Sequence, residues 1–158
     1  MTNNSHKTIL YICNKGGHYS QMLRLKSVMS KFNSYIVSDK KEAYKDWEGY
    51  GSSIYIDAYN VKKHRLFHFF KNLWQCFRLC IKYKPEYIVT TGAGLAIPMF
   101  IAGRILGKRL IFIESRARVY TKSASGKLLG KLANKVIVQW PEMLEVYGEK
   151  ASYYGTLV

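Results

Sequence analysis

Along the chain, short continuous apolar runs alternate with longer stretches in which apolar residues recur every three or four positions. The run Thr8-Ile9-Leu10-Tyr11-Ile12-Cys13 is β-prone and apolar throughout, the pattern of a buried parallel strand. A glycine turn follows it. From about Ser20 to Phe32, the residues Met22, Leu25, Met29 and Phe32 share one face of a predicted helix. Strands are expected at Ser34–Ser38 and Ser53–Asp57, separated by a charged loop or short helix carrying Trp47. A long helix is predicted over Leu66–Tyr83, ended by Pro85. Tyr87–Thr91 reads as a strand, then Gly92-Ala93-Gly94 as a turn and Leu95–Leu106 as an apolar helix. Strands at Leu110–Glu114 and Lys135–Gln139 flank a loop and a helix, and Ser152–Gly155 is a last short strand.

This alternation predicts an α/β fold: a Rossmann-like parallel sheet with helices on both faces. Neither a repeat nor a linker divides the 158 residues, so one domain spans 1–158, with residues 1–7 a polar, flexible lead-in. The lead-in is not a signal peptide, because no apolar stretch follows a basic start. Cys13, Cys76 and Cys80 have no paired metal spacing, so packing in the core or on a lipid face is expected, in a reducing compartment. No metal is expected.

Charge narrows the partners. Lys and Arg number 25 against 10 acids, a net charge of +15, and such a field seeks nucleic acid, an anionic membrane surface or a phosphate-bearing substrate. No nucleic-acid module is recognisable and the aromatics lie in apolar runs, so nucleic acid is not expected. The helix Leu66–Tyr83 bears apolar residues over about half its circumference, with Lys71 and Arg78 on the opposite side and its flank, and Lys62, Lys63, His64 and Arg65 before it. Two readings stay open. It is either an interfacial helix turning Phe67, Phe70, Trp74 and Phe77 to lipid, or a core helix with a solvated basic face. Leu95–Leu106 is too short to cross a bilayer, which needs about 20 apolar residues. Phe100 and Ile101 of that helix would dip in beside the longer one, so the protein is expected to lie on a membrane without spanning it.

In such sheets ligands bind outside the carboxyl ends of the strands, where two glycine turns fall. The first is Asn14-Lys15-Gly16-Gly17-His18; the second is Thr90-Thr91-Gly92-Ala93-Gly94. Both precede helices, whose first amides suit a phosphate, although neither matches a nucleotide-binding fingerprint. Thr90 and Thr91 either donate hydroxyls to a diphosphate or cap the helix. Glu114 ends a strand with Arg116 and Arg118 just beyond it, an arrangement for hydroxyl recognition plus phosphate clamping, or else a mutual ion pair. Ser123 is the expected N-cap of the following helix. His18 is the histidine beside a glycine turn, which makes it the candidate general base.

Gly16-Gly17-His18 followed by Met22-Leu23, Thr91-Gly92-Ala93-Gly94 with Pro98, Ile111 to Ser115 with Arg118-Val119, and Val138-Gln139-Trp140 together carry a resemblance. From about Lys7 to Gly155 the chain resembles bacterial capsular and exopolysaccharide proteins of the PssD/CpsF type. These are similar to the membrane-anchoring subunit of the eukaryotic two-subunit N-acetylglucosaminyltransferase of dolichol-linked oligosaccharide synthesis. The resemblance implies the acceptor-binding half of a GT-B glycosyltransferase, with a partner subunit supplying the half that binds a UDP-sugar. No further cofactor is implied. The implied acceptor is a polyprenyl-diphosphate-linked saccharide held by Gly16, Gly17, Thr91, Gly92 and Gly94, with Arg116 and Arg118 beside it. His18 is implied as base, and Glu114 as a second catalytic residue that either contacts the acceptor sugar or helps complete the active site at the cleft. The eukaryotic relatives begin with a membrane anchor that this chain is expected to lack, leaving the amphipathic helix to hold it peripherally at the cytoplasmic face. Residues Tyr147–Val158 are expected to meet the partner. The alternative is a non-catalytic module that recruits or enhances a partner transferase.

Overall fold

The computed structural model describes residues 7–56 and 65–157. The expected lead-in up to residue 6, the end of the predicted strand at Asp57 and the basic Lys62-Lys63-His64 flank lie outside the described residues. In chain order the elements are β1 (Thr8–Cys13), α1 (Gly17–Leu23), α2 (Lys26–Met29), β2 (Asn33–Ser38), α3 (Ala43–Asp46), β3 (Ser52–Tyr55) and α4 (Arg65–Tyr83). There follow β4 (Tyr87–Thr90), α5 (Ala96–Ile105), β5 (Arg109–Ile113), α6 (Gly126–Leu132), β6 (Lys135–Val138), α7 (Met143–Tyr147) and β7 (Ala151–Tyr153).

The seven strands form one parallel sheet in the order β3-β2-β1-β4-β5-β6-β7. Strand order reverses between β1 and β4, so the carboxyl ends of these neighbours open onto the crevice where α/β sheets bind ligands. Alternation along each strand feeds two cores. Leu10, Ile12, Ile88, Leu110, Phe112 and Val136 face Cys76 and Cys80 of α4, Met99 and Phe100 of α5, and Leu129 of α6. Ile9, Tyr11, Val89 and Ile113 belong to the other face, with Met22 of α1, Met29 of α2 and Trp47. All three cysteines are free and buried in these cores.

The predicted helix Ser20–Phe32 is two helices. α1 begins earlier, at Gly17, and the chain breaks at Arg24 and Leu25, whose amides bond three residues back to Gln21 and Met22 instead of four. The tighter turn still leaves Met22 and Met29 fully buried on the sheet. With neither Gly nor Pro at the break, the sequence carries no local signal for it.

The wide apolar stripe of α4 divides. Leu73, Cys76, Phe77 and Cys80 pack on the core, whereas Leu66, Phe67, Phe70, Trp74 and Ile81 are exposed, next to the exposed Lys71, Arg78 and Lys82. The core reading therefore holds for one side of the stripe, and the other side is exposed. Phe77 is corrected from a lipid contact to a core contact, because its position faces the sheet. Phe100 is likewise fully buried; on α5 the apolar residue left exposed is Ile105. No helix among the described residues is long and apolar enough to cross a membrane.

Candidate functional site

The two glycine turns meet. Gly16, at φ +98°, takes the chain off β1, and Ser20 closes the first turn of α1 by donating its amide to the Gly16 carbonyl at 3.0 Å. This brings His18 over the end of β4. The His18 Nδ1 lies 2.7 Å from the Thr91 carbonyl, and the Thr91 hydroxyl donates to the His18 carbonyl at 2.8 Å. A carbonyl oxygen only accepts, so Nδ1 carries the proton and the neutral ring keeps its lone pair on Nε2. The tautomer is thereby set for a base acting through Nε2, on a half-buried imidazole.

Gly92 makes this approach possible. Its φ is +111°, and a Cβ there would stand 3.0 Å from His18 Cε1, 3.2 Å from Nδ1 and 3.3 Å from the Ser125 hydroxyl. By contrast, a Cβ at Gly16, Gly17 or Gly94 would meet nothing within 4 Å, so these backbones border open space. The first amides of α1 have no intrahelical acceptor, which leaves donors for an anion along the rim, whereas at α5 the amides of Leu95, Ala96 and Ile97 bond to Asn14, Ala93 and Gly94 and Pro98 has none.

Thr91 departs from expectation. Its hydroxyl is spent on His18 and the residue is fully buried, so it positions the imidazole instead of binding a diphosphate. Thr90 is equally committed: its hydroxyl donates to the Ile12 carbonyl at 2.7 Å and accepts from the Gly92 amide at 3.0 Å.

Glu114 also turns inward. It is 1% exposed, and its carboxylate accepts the Ser115 amide at 2.7 Å, the Ser123 amide at 3.1 Å and the Tyr147 hydroxyl. The expected contact of Glu114 with an acceptor sugar is therefore corrected. Its bonds hold the loop 115–125 and tie it to α7 through Tyr147, and the carboxylate is buried away from solvent. Gly126 seals the arrangement, because a Cβ there would lie 2.4 Å from both the Glu114 carboxylate and the Tyr147 hydroxyl. Burial and the bond to Glu114 push the Tyr147 phenol well above its ordinary pKa, keeping it a donor. Ser123 accepts the Gly126 amide at 2.9 Å, the expected capping bond, although regular helix begins only at Gly126.

Arg116 and Arg118 are exposed on this loop and form no ion pair among the described residues, so the alternative pairing with Glu114 is absent. Trp140 donates its indole N–H to the Arg116 carbonyl at 2.7 Å, and Ser125 meets the Ala93 amide at 3.4 Å, tying the loop to the second glycine turn.

Several residues that hold the site were not singled out from the sequence. Asn14 accepts the Leu95 amide at 2.9 Å and donates to Asp39 at 3.0 Å, joining the ends of β1, β4 and β2. Gln139 donates to the Glu114 carbonyl at 2.8 Å and accepts the Leu157 amide at 3.0 Å. Asn14, Asp39 and Gln139 each directly follow a strand's last residue, a positional signal that was available. Ser125 and Tyr147 carried none.

A parallel sheet with its polar groups gathered at the switch point defines a Rossmann-like α/β domain of the kind found in GT-B glycosyltransferases. Solved structures agree in fold. MurG of Acinetobacter baumannii superposes with a TM-score of 0.78 at 16% identity, over 96% of this chain and 46% of that one. The UDP-GlcNAc 2-epimerase of Neisseria meningitidis, solved with UDP-GlcNAc, gives 0.74 at 11%, over 94% and 46%. This chain thus spans about half the length of those proteins. Among sequences it is 29% identical over 182 residues to the human UDP-N-acetylglucosamine transferase subunit ALG14, covering 96% of this chain and 83% of that protein. The mouse subunit is 29% identical over 180 residues, covering 95% and 82%. The chain belongs to the family described as oligosaccharide biosynthesis protein Alg14 like, whose model matches residues 55–157.

Proposed function

We propose that this chain is the acceptor-binding, membrane-associated subunit of a two-chain glycosyltransferase, acting in bacterial capsular or exopolysaccharide synthesis as PssD/CpsF-type proteins do. Its partner binds the UDP-sugar, and its acceptor is a polyprenyl-diphosphate-linked saccharide. The observation that carries this reading is the His18–Thr91 pair, which holds Nδ1 on a carbonyl and leaves Nε2 as the ring nitrogen free to act, beside glycine backbones that border open space. In the proposed reaction an acceptor hydroxyl attacks the anomeric carbon of the donor sugar. Its proton passes to His18 Nε2, and UDP departs with the electrons of the broken glycosidic bond. The diphosphate rests on the amides at Gly16, Gly17 and Gly94, with Arg116 and Arg118 neutralising its charge. Glu114 holds the arginine-bearing loop. The exposed aromatics and cations of α4 keep the subunit peripherally on the cytoplasmic face, where lipid-linked acceptors lie.

The test is transfer from radiolabelled UDP-sugars to a polyprenyl-diphosphate saccharide, with UDP-N-acetylglucosamine tried first because the relatives carry that name. Membranes containing this chain, a co-expressed donor-binding chain, or both are compared. Transfer requiring both supports the proposal, and His18→Ala in the pair is expected to lower the rate about 10²–10⁴-fold. Full activity with His18→Ala would make the chain a recruiting module without a base of its own. Transfer with the partner alone, undiminished when this chain is withheld, would overturn the two-chain reading.

A further inference from the structure

We propose that Asp39 is a positioning residue of the acceptor site: through Asn14 it sets the two glycine turns at the separation that a diphosphate bridges. This inference deepens the acceptor-binding reading and rests on it. Register makes Asp39 and Asn14 neighbours. Cys13 and Ser38 are the last partners of β1 and β2, so the next residue of each strand leaves the sheet at the same height. β1 lies between β2 and β4, which puts Asn14 between Asp39 on one side and the second glycine turn on the other.

The hydrogen bonds fix a direction. Asp39 Oδ1 accepts the Lys15 amide at 2.5 Å, and Oδ2 accepts the Asn14 side-chain N–H at 3.0 Å. A carboxylate only accepts, so the Asn14 nitrogen faces Asp39 and its oxygen faces the second turn. That oxygen takes the Leu95 amide at 2.9 Å. The carboxamide has two flips of nearly equal shape, and the carboxylate at position 39 decides between them. The other flip would set the Asn14 nitrogen against the Leu95 N–H, donor against donor.

What this relay holds is a strained turn. Gly92 and Ala93 stand at φ +111° and +80°, and at Ala93 this is a conformation that an L-residue rarely adopts. Ala93 is tied by the Ser125 hydroxyl at 3.4 Å, and Leu95, two residues on, by Asn14. On the other arm, the bond from Lys15 to Asp39 falls one residue before Gly16. A Cβ at Gly16, Gly17 or Gly94 would meet nothing within 4 Å, so packing does not place these backbones. Each lies within two residues of an amide anchored by Asp39 or Asn14. Asp39 forms no ion pair among the described residues, and its two oxygens take these donors. It acts on the site through its neighbours and does not touch the ligand.

Variants of the full chain, assayed with its donor-binding partner, test this. Asp39→Ala removes both acceptors. It is expected to raise the KM for the polyprenyl-diphosphate acceptor about ten-fold or more, with kcat lowered less and the KM for UDP-sugar unchanged. Asn14→Asp sets two carboxylates face to face and should do the same. Exchanging the pair, Asn14→Asp with Asp39→Asn, rebuilds all three bonds with the middle one reversed. The acceptor KM should then return to within about three-fold of wild type. A wild-type acceptor KM in Asp39→Ala, parallel rises for donor and acceptor, or an exchanged pair no better than Asn14→Asp alone would each overturn the proposal. Should Asp39→Ala not fold, the last comparison decides.

Two further readouts need no sugar transfer. Protection of the Leu95 amide from hydrogen exchange, and binding of inorganic pyrophosphate to this chain, should both fall in Asp39→Ala and recover in the exchanged pair. A Leu95 amide equally protected in Asp39→Ala and wild type would overturn the relay whatever the activity. Protection and pyrophosphate binding lost and regained in this way, with no transfer in any combination, would sink the transferase reading and leave the relay standing.

Discussion

The Nδ1 of His18 lies 2.7 Å from the carbonyl oxygen of Thr91, 73 residues away in sequence, and the Thr91 hydroxyl returns a bond to the His18 carbonyl at 2.8 Å. This reciprocal pair joins the two glycine turns across the switch point and fixes the imidazole through Nδ1. It depends on Gly92. In Gly92→Ala the methyl group would push on the imidazole from a backbone conformation that strains an L-residue by about 1–3 kcal/mol. The expected outcome is a folded protein with a lowered melting temperature, and a rate loss in the complex approaching that of His18→Ala. A Gly92→Ala protein with wild-type transfer would show that imidazole placement does not limit the reaction.

The Glu114–Tyr147 contact supports a second prediction. Tyr147→Phe leaves the ring packed but removes a hydroxyl that the buried carboxylate accepts. A cost of about 1–3 kcal/mol is expected by chemical denaturation. Gly126→Ala should cost at least as much, because its methyl group would collide with both partners. Since the loop between them carries Arg116 and Arg118, Tyr147→Phe should raise the KM for acceptor more than it lowers kcat.

Membrane association should respond to α4 alone. Phe67, Phe70 and Trp74 are 69%, 60% and 66% exposed, so charging them leaves the core intact. Phe70→Glu with Trp74→Glu should abolish sedimentation with anionic vesicles at an unchanged melting temperature. Lys71→Glu with Arg78→Glu should weaken it by about 30-fold or more, from about 1 kcal/mol per basic residue. Vesicle binding that survives both pairs would place the membrane contact elsewhere.

Alkaline pH should destabilise the fold before it touches the site. Burial pushes the Cys13 thiol from 9.0 to about 12, with the Asp39 charge adding to it, and raises Cys80 to about 11 and the Tyr11 phenol from 10.0 to about 12. Above pH 9 the unfolded chain releases these protons while the folded chain keeps them, so stability falls as pH rises towards 11–12. Each group contributes a slope of up to about 1.4 kcal/mol per pH unit. Melting temperatures between pH 8 and 11 in reductant should decline, less steeply in Cys13→Ala.

Much of this was legible in the sequence. Apolar runs such as Thr8–Cys13 and helical spacing such as Met22, Leu25 and Met29 are local patterns, and seven strands and the long helix follow from them. The glycine turns and His18 were legible too, because backbone freedom and an imidazole after a strand are local facts. Three things were decided only in the tertiary structure. The side of the α4 stripe that meets the sheet depends on how the helix lies, so Phe77 turns in while Phe70 stays out. Glu114 looked like a ligand contact at a strand end, yet Tyr147 from a later helix closes over it. Thr91 looked like a phosphate donor until His18 reached it from the neighbouring strand's turn. Periodicity determines which residues are apolar and where the chain bends, since these are properties of adjacent residues. The partner of each polar group is set by chain segments tens of residues apart, and it exists only once the sheet has brought them together.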